Sequence, residues 1–157
     1  MALKPGDLAP AFELPRCGGE GTVRDGFHKL VVFYKVTCPT CQLTLPFVER
    51  LFKNYGDAVS FVGISQDNCK DTLKFMEDYG LSFLQLSDDD GYRVSVGFDV
   101  QVVPTIYLLD ASNKVVFVEE GFVKSSMERL NSLLSELTGI GENPLFEDVS
   151  VPAFKAG

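Results

Sequence analysis

An α/β fold is predicted by three features of this 157-residue chain. Two runs, Leu30-Val31-Val32-Phe33-Tyr34 and Val59 to Ser65, are dominated by β-branched, aromatic and other apolar residues, as expected of strands buried on both faces of a largely parallel sheet. Each run leads into a segment with apolar residues at helical spacing. Farther on, Thr105 to Leu109 and Val115 to Val118 are strand-like and separated by Asp110-Ala111-Ser112-Asn113-Lys114, a connection of hairpin length. Alternating strands and helices followed by a hairpin give a central mixed sheet flanked by helices.

In chain order, Phe12 to Leu14 reads as a short edge strand, and Cys17-Gly18-Gly19-Glu20-Gly21 as a turn. The first core strand, Leu30 to Tyr34, precedes a helix over Gln42 to Tyr55, where Leu43, Phe47, Val48, Leu51, Phe52 and Tyr55 form one apolar face. After the second strand, Asp67 or Asn68 caps a helix carrying Leu73, Met76 and Tyr79, and Gly80 ends it. Phe83 to Leu86 is a further short strand, followed by the acidic turn Asp88-Asp89-Asp90-Gly91. The last helix covers about Ser125 to Leu137, with Met127, Leu130, Leu133, Leu134 and Leu137 inward. The expected organisation is one domain over residues 1–139 and a C-terminal tail, 140–157, of irregular composition, extended or partly ordered.

Between the first core strand and its helix lies Cys38-Pro39-Thr40-Cys41. Two thiols at this spacing form a reversible disulfide. Pro39 suits the first helical position, so Cys38 sits where unpaired N–H groups and the positive helix end favour a thiolate and make it the attacking sulfur. Cys41, one turn further in, is then the resolving thiol. A zinc knuckle would need a second ligand pair. The remaining candidates, Cys17, Cys69 and the single histidine His28, are isolated in sequence, so no metal is expected. Cys69 opens the second helix on the rim that carries Cys38 and is either a third redox thiol or simply a small residue near a helix start. The Gly-rich setting of Cys17 suggests an exposed loop.

Composition narrows the function classes. A 45% hydrophobic content supports a core that needs no disulfide scaffold, and a net charge of −8 with no basic stripe argues against nucleic acid or an anionic membrane as partner. No stretch approaches a membrane span, and Met1-Ala2-Leu3-Lys4-Pro5-Gly6-Asp7 lacks an apolar signal core. The expectation is a cytoplasmic protein, or an exported one if a leader has been removed.

These residues carry a family resemblance. The CPTC motif after the first core strand, Pro46 within the helix and Val103-Pro104-Thr105 opening a later strand resemble the thioredoxin fold, specifically its TlpA/ResA-like branch of thiol:disulfide oxidoreductases. The opening Pro5-Gly6-Asp7-Leu8-Ala9-Pro10-Ala11-Phe12-Glu13-Leu14 is similar to that branch and to the peroxiredoxins of the redoxin and AhpC/TSA group. The likeness runs from about residue 4 to about residue 138. It implies that Pro104 is a cis proline facing the cysteine pair, that the Val103 backbone pairs with an incoming extended peptide, and that Thr37, Pro39 and Thr40 tune the redox potential. It also implies a role in cell redox homeostasis and antioxidant defence.

The chain departs from these relatives at several positions. Thr37 stands where thioredoxins carry Trp, Val32 where they keep a buried aspartate, and Thr44 where ResA-like proteins place a glutamate. The Cys41 proton must then go to water, through Thr44, or to another group; Lys35 is the nearest cation in sequence to Cys38. Peroxiredoxins carry Thr or Ser three residues before the peroxidatic cysteine and Pro seven before. Those positions are Lys35 and Val31 relative to Cys38, and Cys38 and Tyr34 relative to Cys41. The expected activity is therefore protein-disulfide exchange, with thiol peroxidase and a non-catalytic binding or metal-binding module as alternatives. No cofactor is expected in the chain. The expected partners are a disulfide-containing protein or small molecule and a separate reductase or dithiol electron donor.

Overall fold

The computed structural model describes residues 2–157. Strand β1 (Arg16–Gly18) is followed by β2 (Lys29–Tyr34), helix α1 (Pro39–Tyr55), β3 (Ser60–Ser65), α2 (Cys69–Tyr79), β4 (Leu84–Ser87) and the short α3 (Arg93–Gly97). The hairpin β5 (Thr105–Leu109) and β6 (Val115–Glu120), then β7 (Phe122–Val123), α4 (Lys124–Thr138) and β8 (Phe154–Lys155), complete the chain. Six strands form one mixed sheet in the order β1-β4-β3-β2-β5-β6, and β7 pairs with β8 separately.

Every residue of β2 is buried, and its side chains alternate between two cores. Leu30, Val32 and Tyr34 meet Leu45 and Val48 of α1, Phe75 of α2 and Met127 of α4 on one face. Val31 and Phe33 meet Tyr107, Phe98 and Ala9 on the other, where partly buried Phe12 and Leu14 also pack. The N-terminal segment is held there by backbone bonds from Gly6 to Val115 and from Ala9 to Asn113, both at 2.8 Å. In the middle of the sheet Gly63 lies opposite Gln85, and a Cβ there would overlap the Gln85 amide. That space lets the buried Tyr34 hydroxyl donate to Gln85 Oε1 at 2.7 Å.

Strands β2, β3 and β4 run parallel, so their C-terminal ends share one rim. Strand β5 runs antiparallel to β2 and pairs Thr105 with Phe33, which brings the start of β5 to the same rim. His28, just before β2, lies at the opposite end of the sheet.

Several expectations are corrected. Phe12 to Leu14 is not a strand; the edge strand is Arg16–Gly18, which overlaps the start of the expected turn. Gly19, at φ 93°, makes this possible by packing so closely on Phe83 that any side chain would overlap its carbonyl. Leu73 is 47% exposed and lies along β1, while Thr72 and Phe75 are the buried residues of α2. Leu137 is 43% exposed. Asn68 alone caps α2, through Oδ1 accepting from the Asp71 N–H. Cys17 is neither isolated nor in a loop: it forms a disulfide with Cys69, Cα to Cα 4.9 Å, tying the edge strand to the first turn of α2.

The tail also packs more closely than an appendage would. Leu145 and Phe146 are buried in the first core, with Phe146 stacked edge-on to Phe47 at 4.8 Å. Arg50 fixes this stretch, donating to the Leu145 carbonyl at 2.8 Å and to the Asp148 carboxylate at 2.9 Å.

Candidate active site

The CPTC motif occupies the rim where β2 passes into α1. Cys38 is the N-cap residue, in extended conformation, and Pro39 is the first helical residue. The segment leading to it is pinned from two sides: the Val36 N–H donates to Asp67 Oδ2 at 2.9 Å, and Gln42 Nε2 donates to the Val36 carbonyl at 2.9 Å. Asp67 is therefore a residue of the site, not the cap of α2. Its role was hidden because it acts across a gap of 31 residues.

The two cysteines are free thiols with different surroundings. Cys38 is half-buried, and its sulfur accepts the Cys41 backbone N–H at 3.2 Å while its thiol contacts the Val103 carbonyl at 3.6 Å. Cys41 is fully buried. Burial pushes the Cys41 thiol well above its ordinary value, reinforced by the Cys38 sulfur beside it and, to a lesser degree, by the Asp67 charge. Thr44, buried one turn further along, donates its hydroxyl to the Thr40 carbonyl at 2.7 Å, so its proton is committed to the helix backbone.

Across the rim, the Val103–Pro104 peptide bond is cis. Pro104 is buried and its carbonyl accepts from the Gly121 N–H at 2.8 Å, while Val103 remains half-exposed. Thr37, Pro39 and Lys35 are exposed. Thr40 is only 3% exposed, because its hydroxyl donates to the Ala156 carbonyl at 2.6 Å. Nothing in the sequence around Thr40 signals that contact, which spans 116 residues.

The structure thus brings Cys38, Cys41, Thr40 and Val103 together and keeps Cys17 and Cys69 apart from them as a bonded pair. Val31 lies on the opposite face of the sheet from Cys41. Among the described residues no group of three or more His, Cys, Asp or Glu side chains could hold a metal ion, and no helix is long and apolar enough to cross a membrane. The arrangement can attack, hold and release sulfur: an accessible sulfur at a helix start, a second thiol one turn below it, and the Val103 carbonyl alongside.

Known proteins share this architecture. The chain is 28% identical over 137 residues to the thioredoxin-like protein YneN of Bacillus subtilis, covering 82% of this chain and 79% of that one. It is 28% identical over 131 residues to the thiol-disulfide oxidoreductase ResA of the same organism, covering 80% and 73%. The crystal structure described as a thiol:disulfide interchange protein, DsbE, from Chlorobium tepidum superposes with a TM-score of 0.74 at 25% identity, covering 87% of this chain and 99% of that one. These likenesses establish the thioredoxin fold. The sequence model of the AhpC/TSA family matches residues 5–118, and the chain belongs to that family.

Proposed function

We propose that Cys38 is the attacking sulfur and Cys41 the resolving sulfur of a reversible dithiol exchange. The chain is a protein-disulfide oxidoreductase acting on disulfide-containing substrates, as its relation to ResA and DsbE indicates. The support for assigning the chemistry to this pair is the seat of the sulfurs: Cys38 half-exposed, capped by the Cys41 N–H at 3.2 Å and 3.6 Å from the Val103 carbonyl.

In the forward direction the Cys38 thiolate attacks one sulfur of a substrate disulfide in line. A Cys38–substrate disulfide forms and the other substrate sulfur leaves as a thiolate. Cys41 then loses its proton and attacks the Cys38 sulfur, which releases the second substrate thiolate and leaves Cys38–Cys41 as a disulfide. The substrate has gained two electrons, and an external dithiol or reductase must return two to the chain. Val103 and Pro104 form the ledge beside the mixed disulfide, and Thr37, Pro39 and Thr40 set the potential of the pair. The assignment is tested by insulin reduction with wild type and Cys38→Ser; activity retained by the variant overturns it.

Family membership also admits a peroxide substrate, but the side chains that would orient peroxide are not supplied: Lys35 is exposed and Val31 is buried on the far face of the sheet. The Cys17–Cys69 disulfide supports the exported arm of the localisation expectation, because such bonds persist in oxidising compartments.

A further inference from the structure

We propose that residues 153–157 form a strap across the docking ledge and thereby select substrate: small disulfides reach Cys38 with the strap closed, whereas an extended protein segment must first lift it. The inference rests on the assignment of Cys38 as the attacking sulfur.

Three contacts lay the strap across the site. Strand β8 pairs with β7, Phe122 opposite Lys155 and Val123 opposite Phe154, and the Lys124 N–H donates to the Ala153 carbonyl at 2.9 Å. Beyond that pairing, Ala156 accepts the hydroxyl of Thr40, a residue of the CPTC motif itself, at 2.6 Å. Gly157 then lies against Val103 so closely that a Cβ on it would overlap the Val103 carbonyl oxygen and sit 3.0 Å from the carbonyl carbon. That oxygen is the one in contact with the Cys38 thiol at 3.6 Å. A peptide carrying a disulfide to Cys38 must run alongside the same carbonyl, where the chain's own backbone already lies. A small disulfide needs only the half-exposed sulfur.

The attachment suits reversible opening. Leu145 and Phe146 anchor the tail in the core, and Arg50 ties down Asp148. By contrast, residues 152–157 are all exposed, Phe154 to 63%, and the β7–β8 ladder is two residues long. Few buried apolar contacts and a short ladder place this segment at the low end of local stability, so it can lift without disturbing the anchor.

The test compares the full chain, a chain ending at Pro152, and full-length Gly157→Leu, whose side chain would collide with Val103. Each is assayed on insulin and on the small aromatic disulfide 5,5′-dithiobis(2-nitrobenzoate). A strap closed about nine-tenths of the time predicts that kcat/KM for insulin rises about tenfold on truncation. The small disulfide should change less than about twofold, because its path does not cross the strap. Gly157→Leu should shift the ratio the same way, and a synthetic peptide of residues 151–157 should inhibit the truncated chain on insulin. An insulin-to-small-disulfide ratio unchanged in both variants overturns the strap. Small-disulfide activity surviving in Cys38→Ser overturns the site assignment instead, so the two failures are distinguishable.

Discussion

The Cys41 backbone N–H donates to the Cys38 sulfur at 3.2 Å, so in the proposed exchange Cys41 stabilises through its main chain the same sulfur that its side chain would later attack. One residue serves both halves of the exchange because Cys38 caps α1 and Cys41 lies one turn inside it. The two thiols differ in access for the same reason, Cys38 half-buried and Cys41 with no exposed surface.

That asymmetry should show in alkylation. In protein with the Cys17–Cys69 disulfide intact, iodoacetamide at pH 7.5 should modify Cys38 at least about tenfold faster than Cys41, since reactivity follows exposure and thiolate character. Cys41→Ser should accumulate a stable mixed disulfide with substrate, while Cys38→Ser accumulates none. Peptide mapping by mass spectrometry reads both, and equal modification of the two thiols would contradict the assignment.

The buried Cys41 thiol gives the protein an alkaline liability whose sign is fixed. Folding raises its pKa, chiefly by burial. As pH climbs past about 8.5, the unfolded chain loses this proton while the folded chain keeps it, and stability falls. Burial likewise pushes Tyr107 up to about 12, which extends the loss above pH 10. Urea midpoints should therefore decline between pH 8 and pH 10, less steeply in Cys41→Ala. In the same range the release of substrate from the wild-type mixed disulfide should accelerate by about tenfold per pH unit, because the attacking species is the Cys41 thiolate. A release rate that is flat with pH would show that Cys41 is not the group being deprotonated.

The Cys17–Cys69 bond closes a loop with a sequence separation of 52. Chain-entropy arithmetic for a loop of that length gives about 4 kcal/mol of stabilisation. The Cys17→Ser, Cys69→Ser double variant should lose stability on that scale in urea denaturation and keep its insulin-reducing activity under conditions where it is folded. Loss of activity in the folded double variant would instead make this pair part of the electron path.

What was legible in the sequence was local. The strand at Leu30 to Tyr34, the CPTC motif and the helix after it are adjacent in chain and in space, so the change from a continuous apolar run to helical spacing was enough to place them. The hairpin at Val115 was legible for the same reason. The partners that complete the site are distant in sequence: Asp67 reaches Val36, Ala156 reaches Thr40, and Cys17 reaches Cys69 only because the sheet order brings β1 beside β4 and under α2. No periodicity encodes such pairings. The edge strand was displaced by a few residues because glycines at 18 and 19 look like a turn, whereas Gly19 allows close approach to the backbone of Phe83 and Leu84, and Gly18 faces the Leu73 and Met76 side chains of α2.

Peroxide provides the sharpest separation between this chain and the peroxidases of its family. Rapid peroxide cleavage needs a hydroxyl beside the attacking thiolate to donate to the leaving oxygen, and a fixed ring to exclude water. Here the corresponding residues are Lys35, whose side chain is exposed, and Val31, which packs with Phe33 and Tyr107 on the face of the sheet away from Cys41. Hydrogen peroxide should still convert Cys38 to a sulfenic acid slowly, at rates typical of an accessible thiol, after which Cys41 closes the disulfide and expels water. Stopped-flow oxidation of the reduced CPTC pair, followed with a thiol probe, measures this directly. A second-order constant on the order of 10⁵ M⁻¹s⁻¹ or above would fall in the range of efficient enzymes and make peroxide a substrate of this site; a constant well below that leaves disulfides as its substrates.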